Sequence, residues 1–503
     1  MEALIRLSST SLVLAITHSG RISLIWVSYQ QLLAMSLARN LALLLVLLLR
    51  LIGNRAVTRV YFTKCGLKGF SCLNNSNQKM EITYECPAQI NEPALFINQF
   101  QAPSNIESLK IKNCKSMIIS TRCSGENRPI QKLEVTNVRK LVLQRLQFTP
   151  MLPPVVKFEN ISSIDTIPSF TFMQIEKAYH SVGCYIQQVD FQTIYIRNVS
   201  IGVVQPSAFV AINNFSNFSL IDVHIQRIQT SGIQMRMDLK GEFEMRSCSL
   251  GHVEHLGMQL YGKRAIFSEN HFEEIAPSGI NATLEDFYFT KNFVALFESQ
   301  GFSVLATNIF VLDNNFLQLK GGAMERLSPG LIQDSGRNFG KLKFRYDFSK
   351  NTLNYLEVGS LHPDVLSFDN VPTEMMFSRN VFSCTCENIG WLFSYNNPQF
   401  QSFYEMVLDE EYANVCDNAA ERGCDLLLKR LKGLVKCGKC SQNFILEDLC
   451  RIGSVVNVTT RYESITENVP EEMLVPGNKT AAARAAAACS CGALLIVSML
   501  NLW

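Results

Sequence analysis

The sequence predicts an α/β solenoid, a stack of short parallel strands joined by tight turns. Three observations carry this. First, eight segments share one template with fixed points at Val199, Val223, Cys248, Asn270, Asn292, Asn315, Asn351 and Asn380; each follows apolar residues five and three positions earlier, such as Phe287/Phe289 and Phe310/Leu312. Second, apolar residues recur two, five and ten positions later, as Phe272, Ile275 and Ile280 do after Asn270. Third, the early intervals are 24, 25, 22, 22 and 23 residues, a period that marks stacked repeats.

Each element has a physical reason. Alternating apolar residues put two side chains on one face of a strand. One unit cannot bury that face alone, so copies stack over a continuous core. The chain turns sharply after each strand, and an Asn there offers both a donor and an acceptor to the adjacent turn. Repeated down the stack, these Asn form a ladder, with Cys248 substituting as a weak donor. Upstream, Leu109/Ile111/Cys114, Leu133/Val135/Val138 and Val156/Phe158/Ile161 continue the series. Val138, Ile161, Val199 and Val223 cannot make the ladder bond, so the N-terminal half must solve its turns differently. The long intervals after Ile161, Asn315 and Asn351 hold insertions, and residues 325–340, with Ser328-Pro329-Gly330, read as a loop.

The pattern L-x-L-x-x-N/C-x-L resembles that of the extracellular leucine-rich-repeat superfamily. The resemblance implies a horseshoe of about eleven repeats with a parallel concave sheet and disulfide-bonded caps. The alternative is another parallel β-solenoid, which also stacks short strands. The run Asn380-Val381-Phe382-Ser383-Cys384-Thr385-Cys386, followed by Trp391-Leu392, is similar to the family's cysteine-flanked C-terminal cap. That likeness implies bridges from Cys384 and Cys386 to two of Cys416, Cys424, Cys437, Cys440 and Cys450. Cys65, Cys72 and Cys86 suit an N-terminal cap. Cys114 and Cys248 sit at ladder positions and read as buried free thiols.

Sixteen Cys in 503 residues are expected of a secreted chain rather than a reduced compartment. A net charge of +2 makes no electrostatic case for nucleic acid. Residues 1–56 read as a signal peptide: Leu41 to Leu49 form an apolar run after Arg39, and Met35 would start a leader of ordinary length. The N-terminal cap spans 57–105, the repeats 106–382, the cysteine-rich cap 383–452 and a juxtamembrane stalk 453–480. Residues 481–503 resemble a signal for a glycosylphosphatidylinositol anchor, with Asn478 or residues 481–483 as attachment points. The alternative is a simple spanning segment. Sequons at Asn74, Asn160, Asn198, Asn214, Asn217, Asn281, Asn457 and Asn478 mark candidate glycans.

Catalysis has little support, and the chain is expected not to be an enzyme. His252 and His255 lie in the turn after a strand, where a satisfied or solvated pair outweighs a zinc pair. Cys437 and Cys440 fit a disulfide framework better than a redox or metal pair. No phosphate loop or nucleophile constellation occurs, and no cofactor is implied. Two function classes remain. One is a cell-surface recognition protein (adhesion, receptor or co-receptor) that binds an extracellular protein through the concave face; a lipid anchor would then require a transmembrane co-receptor for signalling. The other is a structural or matrix scaffold. The repeat register turns Ile266, Tyr288, Phe293, Val311 and Phe316 outward on that face as a partner-binding patch. One position before the fixed point, Asp222, Ser247, Glu269, Lys291, Asn314, Lys350 and Arg379 form a stripe grading from acid to base. No sequon falls between Phe287 and Phe382, so the partner is expected on the stretch from Ile266 to Arg379.

Overall fold

A computed structural model describes residues 4–7, 10–16, 22–28, 58–60, 65–66, 69–74, 79–87, 93–96, 106–120, 130–144, 154–173, 193–330, 343–363, 373–384, 386–394, 400–416 and 426–428. The predicted leader's apolar run, the stalk, the anchor signal, Asn457, Asn478, Cys424, Cys437, Cys440 and Cys450 lie outside these residues. Near the start, Leu4–Leu7, Thr10–Ile16 and Ile22–Ser28 pair antiparallel.

The repeats form a parallel β-solenoid. In the middle coils each turn of the chain contributes three strand segments. Residues 264–268, 286–290 and 308–312 pair in a first sheet, and residues 258–261, 280–283 and 302–305 in a third. His271–Ile275, Phe293–Phe297 and Asn315–Leu319 make the second sheet between them. Adjacent rungs lie about 4.8 Å apart. The first-sheet register continues from Ser108, through Lys132 and Val155, to Ser378.

The third sheet corrects the expected architecture. The position ten after the fixed point begins a strand, where a horseshoe would carry a helix or turn. Its cause is legible: Ile280, Ala282 and Leu284 alternate inward, as do Phe302, Val304 and Ala306, and all six are buried. A period of two is a strand period. Among the described residues, helix is confined to α1 (Cys386–Ser394), α2 (Gln401–Leu408), the short turn Glu410–Tyr412 and the single residue Leu428. The sharp bend between third and first sheets of one coil falls at Gly262, with φ of 149°; a Cβ there would lie 2.7 Å from that of Met237.

Both other corners use left-handed backbone. Between first and second sheets this residue is Asn113, Asn137, Asn160, Asn198, Asp222, Ser247, Glu269, Lys291, Asp313, Lys350 or Arg379, with φ between 50° and 60°. Asn and Asp tolerate this region, whereas Lys and Arg are strained in it. Each strained residue is held by the coil above, as Lys291 N–H donating to Leu312 O at 2.9 Å shows. At the second corner Ser231, Leu256, Ser278 and Gln300 repeat the device.

The Asn ladder is present with one change of register. Asn270 Nδ2 donates to Met245 O at 2.9 Å, and its Oδ1 accepts from Cys248 N at 2.9 Å. Asn292, Asn314, Asn351, Asn380 and Asn414 repeat this geometry. The rung is Asn314, not the expected Asn315, which lies on the outer face of the second sheet beside Phe293. The true interval from Asn292 is therefore 22 residues, like the two before it. The shift of one residue turns Ile309 and Val311 into the core and Phe310 and Leu312 outward. Phe316 is buried, and Leu317 is 47% exposed.

The N-terminal coils do turn differently. Their fixed points are apolar, but the preceding left-handed Asn form an exposed ladder. Asn198 Nδ2 donates to Asn160 Oδ1 at 2.9 Å, Asn160 to Asn137 and Asn137 to Asn113 at 3.2 Å each, and Asn113 to Glu85 at 2.7 Å. The ladder ends on a carboxylate that the Asn113 amide and Lys112 hold below the usual carboxylate range.

The ends are stapled. Cys65 bonds Cys72, Cys86 bonds Cys114, and Cys384 bonds Cys416. Cys114 is thus not the free thiol expected; its ladder position brings it above Cys86 of the preceding rung. Cys248 is free and buried. In the C-terminal cap, Asn414 Nδ2 donates to Phe377 O and Val407 O at 3.0 Å, tying α2 to the last coils. Trp391 Nε1 donates to Asn388 O at 2.9 Å, and Asn388 binds the backbone of Ser383, Asn354 and Leu356. Part of the predicted loop, Leu327–Pro329, is instead a third-sheet strand on Val304, Leu305 and Ala306.

Candidate recognition surface

The outer face of the first sheet carries a group of aromatic and charged side chains in the middle coils. Side chains four positions before the fixed points share one column: Glu244, Ile266, Tyr288, Phe310, Asp347 and Met376. Tyr288 and Phe310 stack, with ring centroids 4.8 Å apart and planes 8° from parallel. The guanidinium of Arg264 lies 5.8 Å from the Tyr288 centroid, and that of Arg345 lies 5.1 Å from the Phe310 centroid. Cation–π attraction of this kind holds Arg over ring faces.

A charged column runs beside the rings, two positions earlier in each strand. Arg264 lies 3.8 Å from Glu242 and 3.4 Å from Asp286. Asn308 Nδ2 donates to Asp286 at 2.8 Å, and Arg345 pairs with Asp347 at 3.3 Å. Burial raises the Glu242 carboxyl, against the pull of Arg264. Burial, then Asp286, raises the Tyr288 phenol. The rings are therefore fixed in place by neighbours on both sides.

The predicted patch divides in two. Ile266, Tyr288 and Phe293 reach the surface, and Phe293 stacks on His271 at 4.7 Å across the corner on the second sheet. Val311 and Phe316 do not: both are fully buried, because the ladder rung is Asn314. Phe310, missed in the sequence, takes the place assigned to Val311. The signal that finds it is the 22-residue interval of the two preceding repeats. The charge stripe is corrected by the same residue. Its column reads Asp222, Ser247, Glu269, Lys291, Asp313, Lys350 and Arg379, so an acid interrupts the bases and the gradient is lost.

Asn74, Asn160, Asn198 and Asn217 are exposed, and Asn281 is half-buried on the outer face of the third sheet. Asn214 lies in strand Phe209–Ile228, and Cys386 opens α1. His252 Nδ1 pairs with Glu274 at 2.9 Å and His255 Nδ1 meets Pro277 O at 2.6 Å, so the two rings are held by different partners. Among the described residues no three metal-ligating side chains cluster, and no helix is long and apolar enough to cross a membrane. Compared with protein families and with curated proteins, the chain matches no family and no relative.

Proposed function

We propose that this chain is a secreted or cell-surface recognition protein that binds a protein partner through the outer face of its first sheet. The observation that carries the reading is the stacked Tyr288–Phe310 pair between two arginines. Aromatic and Arg side chains are enriched at the centres of interfaces, where rigid rings lose little entropy on binding. Ile266 and Leu312 extend the apolar surface on neighbouring strands. No sequon lies on this stretch, so no N-linked glycan would cover it. The disulfides suit an oxidising compartment.

The finer expectations belong to the same proposal. Kinship with leucine-rich repeats, and a count of about eleven, rest on the fixed points in the sequence. The third strand in the middle coils favours the broader parallel-solenoid class. The leader, N-linked glycans and lipid attachment near Asn478 would place the protein on the outer cell surface as an adhesion protein, receptor or co-receptor. The competing reading is a matrix scaffold. Screening the purified chain against an array of extracellular proteins separates them. The Tyr288→Ser/Phe310→Ala double variant should lose the partner while keeping its melting temperature within a few degrees. A partner retained by that variant would refute the site, and no partner at all would favour the scaffold.

A further inference from the structure

The corner between first and second sheets opens into a groove of about 270 Å³ across three N-terminal coils. Polar side chains from three successive rungs line it: Asn160 and Ser162, Asn198 and Ser200, Asp222 and His224. Adjacent rungs put these groups at a repeat of about 4.8 Å.

The exposed Asn ladder stops here. Every amide in it donates toward the N-terminus, and the next rung after Asn198 is Asp222, which has no N–H to give. Asn198 Oδ1 and the Asp222 carboxylate are therefore two acceptors on neighbouring rungs. Among the described residues, Asp222 meets only the Arg197 guanidinium, at 3.9 Å. Among the described residues, no hydrogen bond reaches Asn198 Oδ1, the Ser162 and Ser200 hydroxyls or the His224 ring.

We propose that this groove binds a neutral saccharide. Two adjacent acceptors call for a ligand with paired O–H donors, and vicinal hydroxyls supply them. The two Ser hydroxyls and the imidazole can each donate or accept, which suits sugar oxygens. A cation fits poorly: calcium takes six to eight oxygens, and here one carboxylate stands beside a guanidinium. An anion would meet Asp222.

The proposal sets a condition on the two sequons. Asn160-Ile161-Ser162 and Asn198-Val199-Ser200 are the groove's own walls. Both amide nitrogens donate along the ladder, and a glycan on either would fill the groove. Asn74, Asn217 and Asn281 have no such bond among the described residues. The proposal therefore requires Asn160 and Asn198 to be unmodified in the folded protein.

The test uses the full chain purified from a secretory host. Glucose, mannose, galactose and N-acetylglucosamine, with their disaccharides, are titrated by saturation-transfer NMR and calorimetry. At least one should bind. Asp222→Asn should weaken it about tenfold or more without lowering the melting temperature, since Asn suits the left-handed corner and carries the ladder on to Asn198. His224→Ala should also weaken it. Tyr288→Ser/Phe310→Ala should leave it unchanged, which separates this site from the protein-binding face. Peptide mass spectrometry should find Asn160 and Asn198 bare. No binding by any probe, full binding by Asp222→Asn, or a glycan at either sequon overturns the proposal.

Discussion

Asn314 Oδ1 accepts both the backbone N–H and the side-chain amide of Asn292, at 2.8 and 3.0 Å. One side chain thus satisfies two donors of the coil before it, and its own amide satisfies Phe289 O at 2.8 Å. All of these groups are shielded from water, where an unmade hydrogen bond is costly. Replacing Asn314 by Ala should destabilise the protein by about 3 kcal/mol or more. Asn315→Ala, on the outer face, should cost under about 1 kcal/mol. Urea unfolding of the pair reads the register directly; equal losses would contradict the assigned ladder.

Cys248 occupies the same place with a weaker group. Its Sγ lies 3.4 Å from Leu220 O, the carbonyl that an Asn amide would bind. Burial pushes the thiol up to about 12. It should therefore resist alkylation at neutral pH in the native protein and react on unfolding, as a thiol-labelling time course would show. Cys248→Asn should extend the ladder by one rung and leave the melting temperature equal or higher.

Phe316 contacts Phe289, Phe297 and Phe348 at centroid distances of 6.0 to 6.3 Å in the core. Phe316→Ala should cost about 3–5 kcal/mol through cavity formation and loss of burial. Phe310→Ala alone should cost about 1 kcal/mol. Thermal melts of the two variants distinguish ring from ring; a Phe316 variant as stable as the parent would overturn the burial.

His362 sits between coil and cap. It stacks on Phe400 at 4.1 Å, packs against Trp391 and Tyr404, and shares a hydrogen bond with Tyr404 Oη. Burial holds its pKa down to about 4, against a smaller opposing effect of Glu325. The folded protein keeps the ring neutral while the unfolded chain protonates near 6.5, so the contribution is complete above that pH. It is lost as pH falls from about 6.5 to 4, by about 3 kcal/mol at the low end. Denaturation series across this range should show a slope that His362→Phe flattens.

The period, the apolar columns and the disulfide-bearing ends were legible in the sequence because stacking a repeat demands the same residue type at the same place. Ile309 and Phe310, by contrast, are both apolar, and Asn314 and Asn315 are the same residue. Local composition cannot choose between two registers that each match the template, whereas the coils on either side can. Only one register lets Asn314 reach Phe289 O and Asn351 together. The third strand was visible as an alternation of Ile280, Ala282 and Leu284, but its meaning depended on a neighbouring coil to pair with. The left-handed corners carry no shared residue type after Asn198, since Lys291 and Arg379 serve there as Asn160 does. What makes those corners alike is a backbone bond to the next coil, and that partner lies 21 or more residues away along the chain. Sequence alone determined that this protein is a stack; the tertiary structure decided which residues the stack hides and which it presents.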